Sequence, residues 1–488
     1  MPRTDRRVLL NTGALAGSSL WRIGLSFVLQ VVIASRLGPQ GLGQYVTALA
    51  YLNVSQVLSE LGLPRLLVRD LAQAPHHRGR AFRQALAMQL LAGVLVWLGL
   101  AGLTGLLPYS PETRQVLLVA AASLPLFAIT SSAETVFQAA ERMELVMGVE
   151  MTTNALIVGA SLGVLVLGGS VVHLAGVLVG TQAISALLCL VLLAHTGLLG
   201  SADTPEARTS TSPRWRRLLR EAQPFYYLTL ANVLLHRTDI LLLSVLAGDR
   251  TTGIYSAAYL VVRVFLVLTQ TFWQALYPTL SRLRHQRPEQ YIRLARLAVR
   301  YGVMGLLPGA ALLTAVALPL MALLFPQVTP AAGAPVLRTL AWAAPLFFLA
   351  SGATTLLLVE HRARASLAVA LVHLAGMALL LPALIPVFGP VGAAVGVVAA
   401  IGASAGVGLY LLRQAQAPVR GPQRLPWLLF AALSTGGLVA FGVQQMDPGS
   451  LLWIPLAGGG GLLYLTFLWS TGLLSVDDWA LFRRALQG

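Results

Sequence analysis

The chain has 488 residues, 56% hydrophobic and 11% charged, with a mean hydropathy of +0.74; soluble globular chains are about 25% charged. That balance excludes an ordinary soluble enzyme and points to a polytopic membrane protein. The net charge of +16 comes from 34 basic residues, all of them arginine, and a pI near 11 is expected to reflect basic loops beside a membrane, with no nucleic-acid partner.

The N-terminal "MPRTDRR" followed by "VLLNTGALAGSS" imitates a secretory signal, with an A-x-A at Ala14 to Ala16. The apolar pattern runs on to Ala34, however, and Asn11 and Thr12 interrupt the would-be signal core. A first transmembrane helix fits better. The single cysteine, Cys189, lies in an apolar segment and can form no internal disulfide.

Apolar stretches of about 20 residues bounded by charges, Pro or Gly mark spans. Fourteen are predicted: 8–34, 42–66, 82–107, 115–139, 146–168 and 171–196; then 222–247, 253–280, 297–324, 334–359, 365–387 and 390–412; and a final pair at 426–445 and 451–475. The polar stretch "GSADTPEARTSTSPRWRRLLR" at 200–220 separates the first two groups and reads as a cytoplasmic linker. The expected organisation is a six-helix lobe over 1–199, the linker at 200–220, a second six-helix lobe over 221–415, and two further helices with a cytoplasmic tail over 416–488. On this assignment 26 arginines fall on the side of both termini and four (Arg36, Arg114, Arg250 and Arg338) on the other. The positive-inside rule therefore puts both termini in the cytoplasm.

"LGPQGLGQYVTALAYL" (37–52) resembles "AGDRTTGIYSAAYLVV" (247–262) at a fixed offset: Gly38 and Gly248, Gly43 and Gly253, Tyr45 and Tyr255, and Ala48 and Ala258 correspond. Both stretches sit at the turn between the first two spans of their group. Six spans is an even displacement, so the halves are expected to be parallel repeats related by a pseudo-twofold along the membrane normal, a design that places substrate near mid-membrane.

Three arginines in these segments lie deep. Arg22, Arg237 and Arg263 are about 14, 15 and 10 residues into spans 1, 7 and 8, or roughly 15 Å or more from either end at 1.5 Å per residue, too deep for easy snorkelling. Guanidinium groups bind phosphate oxygens in paired, charge-assisted hydrogen bonds, so these three are candidates for an anion site in a central cavity. The alternative is that each holds helices together by capping carbonyls or pairing with a buried acid. Arg300, near the start of span 9, is expected to snorkel to the cytoplasmic face.

In "HRTD" (236–239), Arg237 and Asp239 are two residues apart and point about 200° apart on a regular helix, so they should not pair. Asp239 is expected to meet His236 or an arginine of another helix, with Arg22 a candidate. Glu60 and Glu134, in spans 2 and 4, are candidates for ion pairing or for a protonatable coupling role. His173 and His373 lack a second ligand at metal spacing and read as satisfied core residues; no metal site and no cofactor is expected. The glycines of 388–408 and 458–461 read as close helix packing, and no P-loop supports direct ATP coupling. Tyr109, Trp427 and Trp479 read as interfacial anchors.

"SRLGPQGLGQYVTALAYL" (35–52), "ELGLPRLLVRDLA" (60–72), "FQAAERM" (137–143) and "RTDILLLSVLAGDRTTGIYSAAYLV" (237–261) together resemble the multidrug/oligosaccharidyl-lipid/polysaccharide (MOP) exporter superfamily, specifically its polysaccharide-export, O-antigen-flippase-like branch. The resemblance covers roughly 8–415, and the last two spans are similar to the variable C-terminal pair of that family. It implies an all-α polytopic membrane protein of about 14 helices in the bacterial or archaeal plasma membrane. It also implies alternating access to a lipid-linked, undecaprenyl-diphosphate-type oligosaccharide, with H⁺ or Na⁺ as possible coupling ion and polysaccharide polymerases or glycosyltransferases as neighbours.

Competing readings are a multidrug or cation antiporter of the same superfamily, a membrane glycosyltransferase, and a transport-inactive scaffold in a polysaccharide assembly complex. The antiporter would want a mid-membrane carboxylate, and span 1 has Arg22 and no acid. The glycosyltransferase would want a large extramembrane loop with paired acids; no non-cytoplasmic loop exceeds about 12 residues, and Asp477 and Asp478 sit in the tail. A transporter and not an enzyme is therefore expected.

The topology can be tested in a Cys189→Ala background: Ser210→Cys is expected to react with a membrane-impermeant thiol reagent only after the membrane is opened, and Pro108→Cys in intact cells. The reverse pattern would invert the assignment.

Overall fold

The computed structural model describes residues 3–73, 78–198, 215–415, 425–446 and 450–471, without the side chains of residues up to 23, of Arg80 and of Leu425. Every regular element among them is an α-helix, as hydrocarbon demands, because a helix satisfies its peptide groups internally. In chain order these are α1 (Arg3–Glu60), α2 (Leu63–Gln73), α3 (Arg78–Leu106), α4 (Pro111–Ala121), α5 (Leu124–Ala139), α6 (Met143–Val166) and α7 (Val171–Thr196). There follow α8 (Trp215–Gln286), α9 (Pro288–Ala315), α10 (Ala317–Leu324), α11 (Pro330–Leu340), α12 (Ala343–Val359), α13 (Ala363–Gln414), α14 (Leu425–Gln444) and α15 (Trp453–Ser470). Nine helical stretches among the described residues are long and apolar enough to cross a membrane. Two of them, Trp215–Gln286 and Ala363–Gln414, have 72 and 52 residues, each enough for two crossings. Of the expected linker at 200–220, residues up to 214 lie outside the described residues and 215–220 are already the first turns of α8; the tail from 472, including Trp479, also lies outside them.

The expected segments fall on helix among the described residues, but three of them are interrupted, at Ala122–Ser123, at Val316 and at Ala341–Trp342, the last was read to 475, beyond the described residues, and one boundary is corrected. The second was read to residue 66, but α1 ends at Glu60, and Leu61 and Gly62 turn the chain with φ of 55° and 73°. The apolar run continues because α2 is amphipathic, burying Leu63, Leu66, Leu67 and Leu71 while Arg65 and Arg69 are exposed. Gly62 is required here twice over. Its φ is left-handed, and a Cβ would lie 2.7 Å from both the Ala222 carbonyl oxygen and the Tyr226 nitrogen of α8.

The chain divides into two compact units, Met1–Thr252 and Gly253–Gly488. In the first, Phe82, Phe137, Val149, Cys189 and Leu193 form one apolar cluster, and Leu63, Leu66, Leu71 and Ala222 another. Along α3, Leu91, Leu95 and Leu98 are 63%, 58% and 58% exposed, a stripe at helical spacing that suits lipid. In the second unit the Trp273 indole donates to the Phe348 carbonyl at 3.1 Å, at the centre of a cluster that also takes in Leu428 and Ala432 of α14 and Tyr464 and Leu468 of α15. The C-terminal pair is thus part of that core. Glycine packing is as expected at Gly408, where a Cβ would lie 2.6 Å from Ala353, and at Gly460, 2.5 Å from Val439; Gly458 and Gly459 face open space.

The internal repeat has a backbone signature. Gly38 breaks α1 with φ/ψ of 67°/−170° and Gly248 breaks α8 with 77°/178°, a region open essentially only to glycine. The matched Tyr45 and Tyr255 are 3% and 0% exposed, and Ala48 and Ala258 1% and 0%. A second pair of turns also matches. Glu141 and His361 have φ of 58° and 57°; the amides of Arg142 and Arg362 donate to Phe137 and Leu357 at 2.9 and 2.8 Å, and those of Glu141 and His361 to Gln138 and Leu358, each at 3.0 Å.

Gly62→Ala should destabilise the protein by about 1–3 kcal/mol through backbone strain and more if α8 cannot recede. A lowered melting temperature in detergent is the expected reading, and an unchanged one would contradict the close approach.

Candidate functional site

α8 stays helical through "HRTD"; its one break is at Gly248, so the two-residue offset of Arg237 and Asp239 keeps its meaning. Asp239 is 3% exposed and shares the buried face with Ile240 at 2% and Leu243 at 0%. Arg237 is half-buried and His236 exposed. The His236 Nδ1 lies 2.8 Å from the Asn232 carbonyl of its own helix and donates to it. Arg237 and Asp239 both have interaction partners. The Arg22 side chain lies outside the described residues. Arg263 belongs to the second unit, where it is half-buried.

Glu60 and Glu134 are brought near each other in the first unit. Glu60, the last residue of α1, accepts a hydrogen bond from the Ser131 hydroxyl of α5 at 3.0 Å, and Arg65 is within electrostatic reach. One turn along α5, Glu134 is within reach of Glu60 and of Glu150 on α6. Glu150 was missed, although an acid four residues inside the predicted fifth span was a visible signal. Three carboxylates gathered this way repel one another unless a proton, a sodium ion or an arginine joins them.

A second polar cluster, also missed, lies where α1 and α8 break at Gly38 and Gly248. Gln44, 1% exposed, donates to Glu112 at 3.2 Å and to the Thr113 hydroxyl at 3.3 Å. Thr113 in turn donates to Asp249 at 2.5 Å, and Ser110 caps α4 by accepting from the Thr113 amide at 3.2 Å. Tyr109 corrects the reading of an interfacial anchor: it is 6% exposed, with its hydroxyl 2.8 Å from that of Ser244 and 3.0 Å from that of Tyr51. Burial pushes the Tyr109 phenol well above its ordinary range, so it stays protonated. These bonds tie the start of α4 to α1 and to the first half of α8. The sequence signal was the contrast between repeats, since Gln44 corresponds to Ile254. Trp427, by contrast, is 62% exposed, as an anchor would be. His173 corrects the reading of a core residue: it is exposed and caps α7, its Nδ1 accepting from the Ser170 amide at 3.1 Å.

Among the described residues no group of three His, Cys, Asp or Glu side chains could hold a metal ion. The ionisable groups of these segments are arginines and carboxylates set in apolar helices, which suits binding and gating.

A family model described as polysaccharide biosynthesis protein matches residues 8–284. No curated protein matches by sequence. Among solved structures the fold is similar to the lipid II flippase MurJ in an inward closed conformation, with a TM-score of 0.66, 12% identity, 93% of this chain covered and 97% of that one. It is also similar to an inward-facing multidrug resistance MATE family transporter of the MOP superfamily, with 0.65, 15%, 82% and 95%. A MOP superfamily transporter from Pyrococcus furiosus matches with 0.53, 16%, 84% and 96%. At these identities the likeness is one of fold.

Tyr109→Phe removes two hydroxyl hydrogen bonds worth about 0.5–1.5 kcal/mol each and leaves the ring packing intact. A thermal melt should fall by a few degrees; a melt equal to that of the parent would mean that the cluster contributes no stability.

Proposed function

The chain belongs to the polysaccharide biosynthesis protein family, and from that premise we propose that it is a flippase for a lipid-linked, undecaprenyl-diphosphate-type oligosaccharide or a related polysaccharide precursor. The membrane is the bacterial or archaeal plasma membrane, with both termini in the cytoplasm. The lobes are 1–199 and 221–415, joined by 200–220, with 416–488 added to the second. Arg22, Arg237 and Arg263 bind the diphosphate as the protein alternates between inward and outward access.

The observation that carries this reading is Arg237, half-buried in a helix unbroken from Trp215 to Gly248. About 11 residues of helix separate it from that break, roughly 16 Å at the helical rise. An arginine at such depth costs at least ~2.5–3.5 kcal/mol on insertion scales. Offering guanidinium to phosphate oxygens gives that cost a purpose. The family match supports the substrate class, and the MurJ likeness supports the fold in which such a precursor is moved. On this reading Glu60 and Glu134, joined by Glu150, take a coupling H⁺ or Na⁺, and Asp239 and His236 tune the charge around Arg237. Polysaccharide polymerases and glycosyltransferases are the expected neighbours.

A second reading has one observation in its favour. The carboxylates of Glu60, Glu134 and Glu150 would suit a cation or proton antiporter of the MATE kind, which the second likeness in fold also accommodates. A transport-inactive scaffold would leave the deep arginines without a role.

Changing Arg22, Arg237 and Arg263 singly to Gln should lower export of surface polysaccharide about tenfold or more, the loss of one charge-assisted hydrogen bond worth ~1.5–3 kcal/mol, at unchanged protein level in the membrane. Normal export from the triple variant would sink the anion site. Disappearance of the protein would mean that the arginines hold helices together.

A further inference from the structure

At one end of the second unit, a clamp joins the last turn of α8 to the turn between α12 and α13. Glu360, 10% exposed in its side chain, accepts from the Arg284 Nε through both oxygens at 3.1 Å and from the Tyr291 hydroxyl at 2.9 Å. The residues next to the clamp on either side are His285 and His361. Their Nε2 atoms are 3.4 Å apart, with ring centroids 5.5 Å apart and planes at 44°, and both side chains are exposed.

That separation is long for a direct hydrogen bond, which runs at roughly 2.7–3.2 Å. It fits two ligands of one tetrahedral ion, since bonds of about 2.0–2.1 Å at the tetrahedral angle set the nitrogens roughly 3.3–3.4 Å apart. Both backbones are held independently of the rings. The bidentate pair fixes the end of α8, and the left-handed turn, with the His361 amide donating to Leu358 at 3.0 Å, fixes the other. The equivalent turn of the first unit has Glu141 where His361 stands, with the same φ, so the fold does not need an imidazole there.

We propose that His285 and His361 form a two-imidazole site for a borderline divalent metal ion, with Zn²⁺ as the reference ion, cross-linking the end of α8 to the α12–α13 turn. Imidazole nitrogen selects Zn²⁺, Ni²⁺ or Cu²⁺ over Mg²⁺ and Ca²⁺, which want oxygen ligands. No third His, Cys, Asp or Glu completes a cluster among the described residues. Water therefore fills the remaining positions, and the ion exchanges readily.

The test uses the full-length protein, stripped of metal in detergent and titrated with Zn²⁺ by calorimetry, alongside thermal melts. One equivalent is expected to bind and to raise the melting temperature by about 2 °C or more. His285→Gln and His361→Asn should each weaken binding at least about tenfold and remove the shift; Asn is chosen because it tolerates the left-handed backbone. Their metal-free melts, equal to the parent's, report that both variants fold. The adjacent His76 and His77 are controls, and their double Ala variant should bind as the parent does. The proposal is overturned if the parent takes up no Zn²⁺, if either single variant binds as tightly as the parent, or if the His76/His77 variant is the one that loses the site.

Discussion

A peptide group in hydrocarbon has no water to fall back on, and an ionised side chain there loses several kcal/mol of hydration. The described architecture follows from that constraint. Every regular element is helix, and many hydroxyls within the helices turn back on their own backbone, as Thr153, Thr196, Thr229 and Thr238 do on the carbonyls four residues earlier. Several of the places where the chain stops being helical are glycines in the left-handed region, at Gly38, Gly168, Gly248 and Gly389, close to the ends of predicted spans where water can serve the freed groups.

The repeats share a backbone and differ in chemistry. The turn at Glu141 and the turn at His361 use the same amide bonds to the same relative carbonyls. The second carries Glu360 bound to Arg284 and Tyr291, whereas Ala140 stands at the matching position of the first. Likewise Gln44 of the first copy organises a polar cluster, and Ile254 of the second is apolar. A duplicated scaffold needs the glycines in both copies because φ is a property of the turn. The side chains around it are free to diverge because the turn itself is held by backbone amides.

This division explains what could be read in advance. Span positions and the repeat were legible because hydropathy and glycine placement report directly on the bilayer and on φ. The end of the second span was not, since α2 continues the apolar composition past Gly62 while changing from a crossing to an amphipathic helix. Tyr109 was misplaced for a related reason: an aromatic near a span end satisfies the interfacial pattern whether it faces lipid or a neighbouring helix, and only the positions of Ser244 and Tyr51 decide. The candidate arginines were legible as deep charges. Their partners were not, because pairing depends on helix rotation that one sequence does not encode visibly.

Position along the helices separates the three clustered acids from the two candidate arginines of α8, Arg237 and Arg263. Glu60 is the terminal residue of α1, Glu134 lies five residues before the end of α5, and Glu150 seven after the start of α6, so each is within about two turns of a helix end. Arg237 and Arg263 stand 11 and 15 residues from the Gly248 break of α8, far from both of its ends. Only Asp239 shares that depth, and it is turned to the buried face of its helix at 3% exposure. The three acids therefore lie near helix ends and within electrostatic reach of one another, whereas Arg237 and Arg263 stand well inside α8, and the chain keeps these two groups of charge on different elements.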